Sequence, residues 1–211
     1  MGRSHGTIAL VLTADDRRRP VLLRRGFLLE YLTLGWNIVG IVILAIAAVA
    51  ARSVALAGFG LDSVIEIGAS TIVIWELSGT GEERQRRGLR LIGYAFAALA
   101  LYLLVQSTLV LAVGYHPRHS PLGIAWTAVT AIAMFALAAG KARTGRELDN
   151  PVLRTEGRVT TIDGILATAV LLGLVLNVAA DWWWADPAAG YVLVYHAARE
   201  VREIFFGREH S

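Results

Sequence analysis

Hydrophobic residues run along this chain in long blocks, separated by short charged or turn-forming connections. Six apolar stretches stand out: 27–50, 53–77, 89–114, 121–140, 159–180 and 187–204. Each approaches the ~20 residues that carry an α-helix across ~30 Å of hydrocarbon. The predicted fold is therefore all-α, a polytopic membrane protein with six transmembrane helices. The link from Ala51 to Val54 is so short that the first two spans form an antiparallel hairpin. Asp149-Asn150-Pro151 places an Asx residue before a proline, which sets the start of helix five at Pro151 and carries it past Ala180. Asp186-Pro187 predicts an N-cap and first-turn proline for helix six in the same way.

Composition agrees with the pattern. Of 211 residues, 55% are hydrophobic and only 18% charged; the mean hydropathy is +0.55. A soluble domain is not built from this mixture. The length suits one compact bundle: a basic N-terminal segment over 1–26, the membrane domain over 27–205 and a short tail over 206–211. Absence of cysteine removes thiolate metal sites, Cys nucleophiles and disulfides. The pI near 9.6 comes from Arg and Lys placed by topology, so no nucleic-acid partner is expected. Basic residues cluster at Arg17–Arg19, Arg24 and Arg25, at Arg84–Arg90, at Lys141–Arg158 and at Arg199–Arg208, whereas the other side keeps only Arg52 and Arg118. By the positive-inside rule both termini face the cytoplasm, and the expected location is the cell membrane, multi-pass. The apolar run Thr7–Thr13 is too short for a cleaved signal and is followed by Asp15, Asp16 and three arginines. Trp182-Trp183-Trp184 reads as an interfacial belt on the outer side.

The candidate chemistry lies inside the spans. Asp62 and Glu66 stand four residues apart in the second span, on one helix face. Carboxylates at this depth turn to a bundle interior or a water-filled path, and two together suggest a cation site. Asp163 lies twelve residues after Pro151, ~18 Å along helix five, and Glu66 eleven before Leu77, ~16 Å from that end of helix two. Antiparallel helices can bring these two level, so one site from all three acids is geometrically allowed. Three carboxylates together require a cation or protons, and the two compete. Glu30 reads equally as a cytoplasmic gate or an interfacial acid, and Asn37, on the same face of span one, as an interhelical hydrogen-bonding residue. Gly58 and Gly60 precede the acid pair and permit close helix approach. His196 in span six reads as a metal ligand, a proton relay or a satisfied bundle histidine. The loop pair His116 and His119 has no further ligands beside it, and Gln106, Ser107 and Thr108 read as packing contacts. Glu82-Glu83-Arg84-Gln85-Arg86-Arg87 has the Glu-Glu-x-x-x-Arg spacing of some intramembrane proteases but reads as a solvated charged loop.

These residues carry a family resemblance. The stretch Ser53-Val-Ala-Leu-Ala-Gly-Phe-Gly-Leu-Asp-Ser-Val-Ile-Glu resembles the second-helix signature of the cation diffusion facilitator, or cation efflux, family. Trp183-Trp-Ala-Asp-Pro resembles that family's opening of helix six, and the six-span topology is similar throughout 27–205. The resemblance is to a short, divergent member without the cytoplasmic C-terminal domain. It implies export of a divalent cation, zinc first and manganese or iron second, in exchange for protons, by a homodimer in the lipid bilayer. It implies a site of four residues, two at i and i+4 in helix two and two in helix five. Asp62, Glu66 and Asp163 match three positions; the fourth is Val159, which binds no metal, with Thr160 or Thr161 as a weak substitute. An all-oxygen set of Asp62, Glu66 and Asp163 also suits Mn²⁺, Mg²⁺ or Ca²⁺, since zinc sites usually include nitrogen or sulfur.

The expectation is a divalent-cation/proton antiporter. The alternative is a non-transporting membrane interaction or regulatory protein that keeps this fold, motivated by Val159. An enzyme is not expected, since no nucleophile or activated-water set is placed for hydrolysis within a span.

Overall fold

The computed structural model describes residues 4–77, 82–149 and 151–206. Six helices follow in order: α1 (Ser4–Ala51), α2 (Val54–Leu77), α3 (Glu82–Val113), α4 (Pro121–Glu147), α5 (Pro151–Ala180) and α6 (Ala185–Phe206). No strand occurs among the described residues. The protein is a polytopic all-α membrane protein. Stretches Arg19–Ala51, Gly93–Val113, Pro121–Glu147 and Glu156–Ala180 are long and apolar enough to cross a membrane. The remaining helices, α2 with 24 residues and α6 with 22, are about 36 and 33 Å long. Each encloses an acid, Asp62 in α2 and Asp186 in α6.

Several boundaries differ from the sequence reading. Helix α1 begins far upstream of Phe27 and contains Pro20. The charged stretch from Glu82 is helical rather than looped. Two acids at a helix start complement the positive end of its dipole, which hydropathy does not register. Helix α4 continues beyond Gly140 to Glu147, because its extension is buried against α5: Lys141, Thr144 and Gly145 are all enclosed. Helix α5 starts at Pro151 as expected but stops at Ala180. Asp181 takes a left-handed conformation (φ 54°), and Trp182 N donates back to Leu176 O at 3.3 Å, a helix-ending turn. Asn150 lies outside the described residues.

The helices pack as two intimate pairs, α4 with α5 and α3 with α6, joined through α1 and α2. Helix α2 touches α1, α3, α5 and α6. Small residues make these approaches close. A Cβ on Gly157 of α5 would stand 3.0 Å from the Ala142 N of α4. A Cβ on Gly58 of α2 would press to 2.5 Å from Leu103 of α3 and 3.1 Å from Leu193 of α6, as the sequence reading expected of this glycine. Across the α1–α4 contact, Trp36 stacks on Trp126 with ring centroids 5.1 Å apart, and Trp36 Nε1 donates to Thr130 Oγ1 at 3.1 Å.

One polar joint fixes α2 against α6. Ser53 precedes α2, and its hydroxyl accepts from Leu56 N at 3.1 Å, an N-cap. The same hydroxyl donates to Asp186 Oδ1 in a short, buried hydrogen bond. Asp186 Oδ2 accepts from Val54 N at 3.0 Å. Asp186 is thus not the N-cap of α6, which begins one residue earlier; it sits in the first turn of α6 and caps α2. The sequence reading had the residue but the wrong helix, because a local pattern reveals nothing of a partner 133 positions away.

Asp186→Ala is expected to leave the Ser53 hydroxyl proton and Val54 N buried without their acceptor, at a cost of roughly 1–3 kcal/mol. Thermal unfolding in detergent should show a clear drop in midpoint, with Asp186→Asn retaining part of the loss. An unchanged midpoint in Asp186→Ala would show that the joint contributes nothing.

Candidate cation site

The two carboxylates of α2 are drawn in different directions. Glu66 meets α1 and α5. Asn37 Nδ2 of α1 donates to Glu66 Oε2 at 3.3 Å, so Asn37 is the interhelical hydrogen-bonding residue that the sequence suggested. The Glu66 and Asp163 carboxyls come within interacting distance of each other. Helices α2 and α5 bring these acids level, an arrangement that counting turns from the helix ends allowed. Asp62, one turn along α2, faces α6: His196 Nε2 lies 3.8 Å from Asp62 Oδ1.

Asp62 and Asp163 sit inside the bundle and Glu66 is half-buried. Asp62 is 2% exposed and Asp163 6%. Oδ1 of each is buried and accepts no hydrogen bond. A buried carboxylate oxygen without a donor is costly, and a cation satisfies it. Among the described residues no three His, Asp or Glu side chains close into one metal shell. The acids are arranged instead as two neighbouring pairs, Glu66–Asp163 and Asp62–His196.

The accessory candidates separate. Thr160 is buried, and its hydroxyl donates to Glu156 O at 2.9 Å; Thr161 does the same to Gly157 O at 2.8 Å. Their protons serve the main chain of α5. Val159 is 41% exposed, so the fourth position does not face the interior. His116 and His119 are both exposed, and His116 packs on Trp183 with ring centroids 4.8 Å apart. Trp182 and Trp184, each 45% exposed, stack on one another at 5.2 Å.

A relative links this geometry to known proteins. Transmembrane protein 163 of Xenopus laevis is 26% identical over 160 residues, which cover 72% of this chain and 57% of that protein. The chain thus spans somewhat over half the length of that relative. The sequence model of the cation efflux transmembrane domain matches residues 91–206, more than half of the chain. The chain belongs to the cation efflux family. Within the cation efflux domain as matched lie Asp163 and His196; Asp62 and Glu66 precede it. The family expected from the sequence is thus shown, with Trp183–Pro187 inside the matched range and Ser53–Glu66 before it.

The sequence reading missed a third polar group. Lys141 was counted among the basic residues of the cytoplasmic face. It is instead 1% exposed, the largest fully enclosed side chain of those described. Its Nζ donates to Glu30 Oε2 of α1 at 2.9 Å and lies 3.9 Å from Glu156 Oε2 of α5. Glu30 is thus an ion-pair partner joining α1 to α4. Glu156 lies seven residues before Asp163, about 10 Å along α5, so this cluster sits two turns from the acid pair. The signal available in the sequence was a lone Lys directly after Gly140, inside a helix that outlasts its apolar stretch.

Lys141→Met is expected to destabilise the fold, because Glu30 and Glu156 lose their counter-charge. The cost should fall below the roughly 3–5 kcal/mol of a fully buried pair, since the Glu30 side chain is 36% exposed. The double variant Lys141→Met/Glu30→Gln should recover part of it. Additive losses in a thermal double-mutant cycle would show the pair to be uncoupled.

Proposed function

We propose that this protein is a divalent-cation transporter that moves its cargo through the acids of α2 and α5 in exchange for protons. The observation that carries the reading is the Glu66–Asp163 contact deep in a cation efflux fold, with buried carboxylate oxygens lacking donors beside it. Two facing buried carboxyls need a proton or a cation to offset their charge. A divalent cation held at the Glu66–Asp163 pair, with Asp62 one turn away, competes with protons there, because both seek the same oxygens. Return of protons from the opposite side expels the cation. This competition makes exchange the natural cycle for a site of this composition.

Zinc is the proposed cargo, with manganese or iron second. The two termini are placed on the cytoplasmic side by the Arg and Lys distribution, so the Glu30–Lys141–Glu156 cluster lies between the cytoplasm and the acid pair. Helix α5 runs from the cytoplasm outward, and α2 and α6 run inward from the capped joint at Ser53 and Asp186. Access alternates by rocking of the α4–α5 pair against its neighbours about a site near the midplane. The proposed working unit is a homodimer in the cell membrane.

Purified protein in proteoliposomes, with a metal dye and a pH dye inside, tests this reading. Wild type should accumulate Zn²⁺ with counter-flow of protons, and external acidification should slow uptake because protons compete for the carboxylates. Asp163→Asn should reduce the flux at least about tenfold, the scale of losing even supporting metal-site groups. Absence of flux for Zn²⁺, Mn²⁺ and Fe²⁺ in correctly inserted wild type would sink the transporter and leave the regulatory alternative.

A further inference from the structure

We propose that Asp62 and His196 form a second binding position for the cargo cation, one helical turn from Glu66–Asp163, and that the His196 nitrogen selects a transition metal over Mg²⁺ or Ca²⁺. This rests on the transporter reading and adds a ligand from α6, a helix outside the α2–α5 set that the resemblance implied.

The geometry is that of two ligands facing each other. His196 Nε2 and Asp62 Oδ1 are 3.8 Å apart, too far for a hydrogen bond. Two donors each about 2.0–2.2 Å from a metal stand roughly 3.4 Å apart at a tetrahedral angle and up to about 4.2 Å when opposite. The observed separation falls between these limits. Asp62 Oδ1 is buried and has no hydrogen-bond donor, so the oxygen facing the imidazole has no other partner. The His196 side chain is 11% exposed, its ring set edge-on against Phe96 with centroids 6.0 Å apart. That contact leaves Nε2 aimed at α2.

The other ring nitrogen is supported in the same sense. His196 Nδ1 lies 4.0 Å from Glu200 Oε1, one turn further along α6. A histidine that binds metal through one nitrogen commonly gives its other N–H to a carboxylate, which fixes the tautomer and strengthens the ligand. A small inward shift of Glu200 completes that arrangement. The pair is also held in register, because the Ser53–Asp186 joint ties the starts of α2 and α6 together. Asp62 lies eight residues beyond Val54, about 12 Å, and His196 ten beyond Asp186, about 15 Å. Parallel helices joined at their starts thus deliver both side chains to one depth.

The consequence is a change of donor chemistry. Asp62, Glu66 and Asp163 alone offer only oxygen, which suits Mg²⁺ and Ca²⁺ as well as zinc. An imidazole favours Zn²⁺ and its neighbours. The exposed Val159 leaves α5 short of one donor, and α6 supplies it from the other side of α2. Asp62 and Glu66 are about 6 Å apart along the helix, so the cation passes from one pair to the other with one helical turn of travel.

Zinc K-edge X-ray absorption of the purified, zinc-loaded full chain tests this directly. His5, His116, His119 and His210 are first replaced by Asn, so that His196 is the sole imidazole. The expected spectrum shows imidazole multiple scattering with light-atom ligands near 2.0–2.1 Å. His196→Gln should abolish that signature, weaken Zn²⁺ binding at least about tenfold and leave the weak binding of Mg²⁺ unchanged. Zinc bound without imidazole scattering, and still lost in Asp62→Asn, would overturn the second position while leaving the acid site standing. No zinc binding at all would overturn both. The spectrum of the His196-only protein decides the matter even if His196→Gln fails to fold.

Discussion

A carboxylate in the interior of a membrane domain has to be matched, and α2 carries two. Neither faces hydrocarbon freely: Asp62 is 2% exposed, and Glu66 is held by Asn37 and Asp163. The arrangement of the other helices follows from this requirement. Helix α2 is the one element in contact with α1, α3, α5 and α6, so its polar face is surrounded by protein. Its glycine at position 58 lets α3 and α6 come close enough to complete the enclosure. Helices α1, α3, α4 and α5 carry stretches long and apolar enough to cross a membrane.

Enclosure alone does not set depth. The Ser53–Asp186 joint does, by making the first turn of α6 the cap of α2. A cap normally satisfies its own helix. Here it belongs to another helix, so the backbone requirement of α2 is met only when α6 is docked in one register. That coupling turns a local hydrogen-bond need into a global alignment, and it is why Asp62 and His196 arrive side by side. At the other end of α5, Asn177 Nδ2 donates to Pro117 O at 3.1 Å, and Arg118 N donates to Ala51 O at 2.9 Å. The connection between α3 and α4 is thus fastened over the same end of the bundle.

Much of this was legible without coordinates. Apolar blocks of membrane-spanning length identify helices wherever lipid dictates composition, and counting turns from Pro151 and Leu77 allowed Asp163 to lie level with Glu66. The same reasoning was silent where a helix outlasts its apolar block. The start of α3 at Glu82 and the extension of α4 to Glu147 obey helix electrostatics and helix packing, not hydropathy. Residues whose role depends on a distant partner were also hidden. Asp186 carries the signature of a local cap and serves a remote one. Lys141 fits the positive-inside count by type, yet is buried. His196 was visible as a candidate, but its proximity to Asp62 depends on the register of two helices that the sequence cannot fix.

The enclosed lysine completes the charge logic of the bundle. Glu30 and Glu156 add two more carboxylates to a domain that already holds Asp62, Glu66 and Asp163. In a low-dielectric interior, like charges a turn or two apart repel strongly. An ammonium fixed by α4 at 2.9 Å from Glu30 and 3.9 Å from Glu156 offsets that repulsion at one end of the column. It cannot leave, whereas a bound cation can. The two ends of the column therefore differ in kind. Around Lys141 the negative charge is matched permanently by the chain itself, and this holds α1, α4 and α5 together. Around Asp62, Glu66 and Asp163 the chain provides no lysine or arginine partner among the described ion pairs, so the match comes from protons or a bound cation. The bundle thus has a fixed counter-charge at one level and unmatched carboxylates at the next, the asymmetry on which the proposed cation exchange draws.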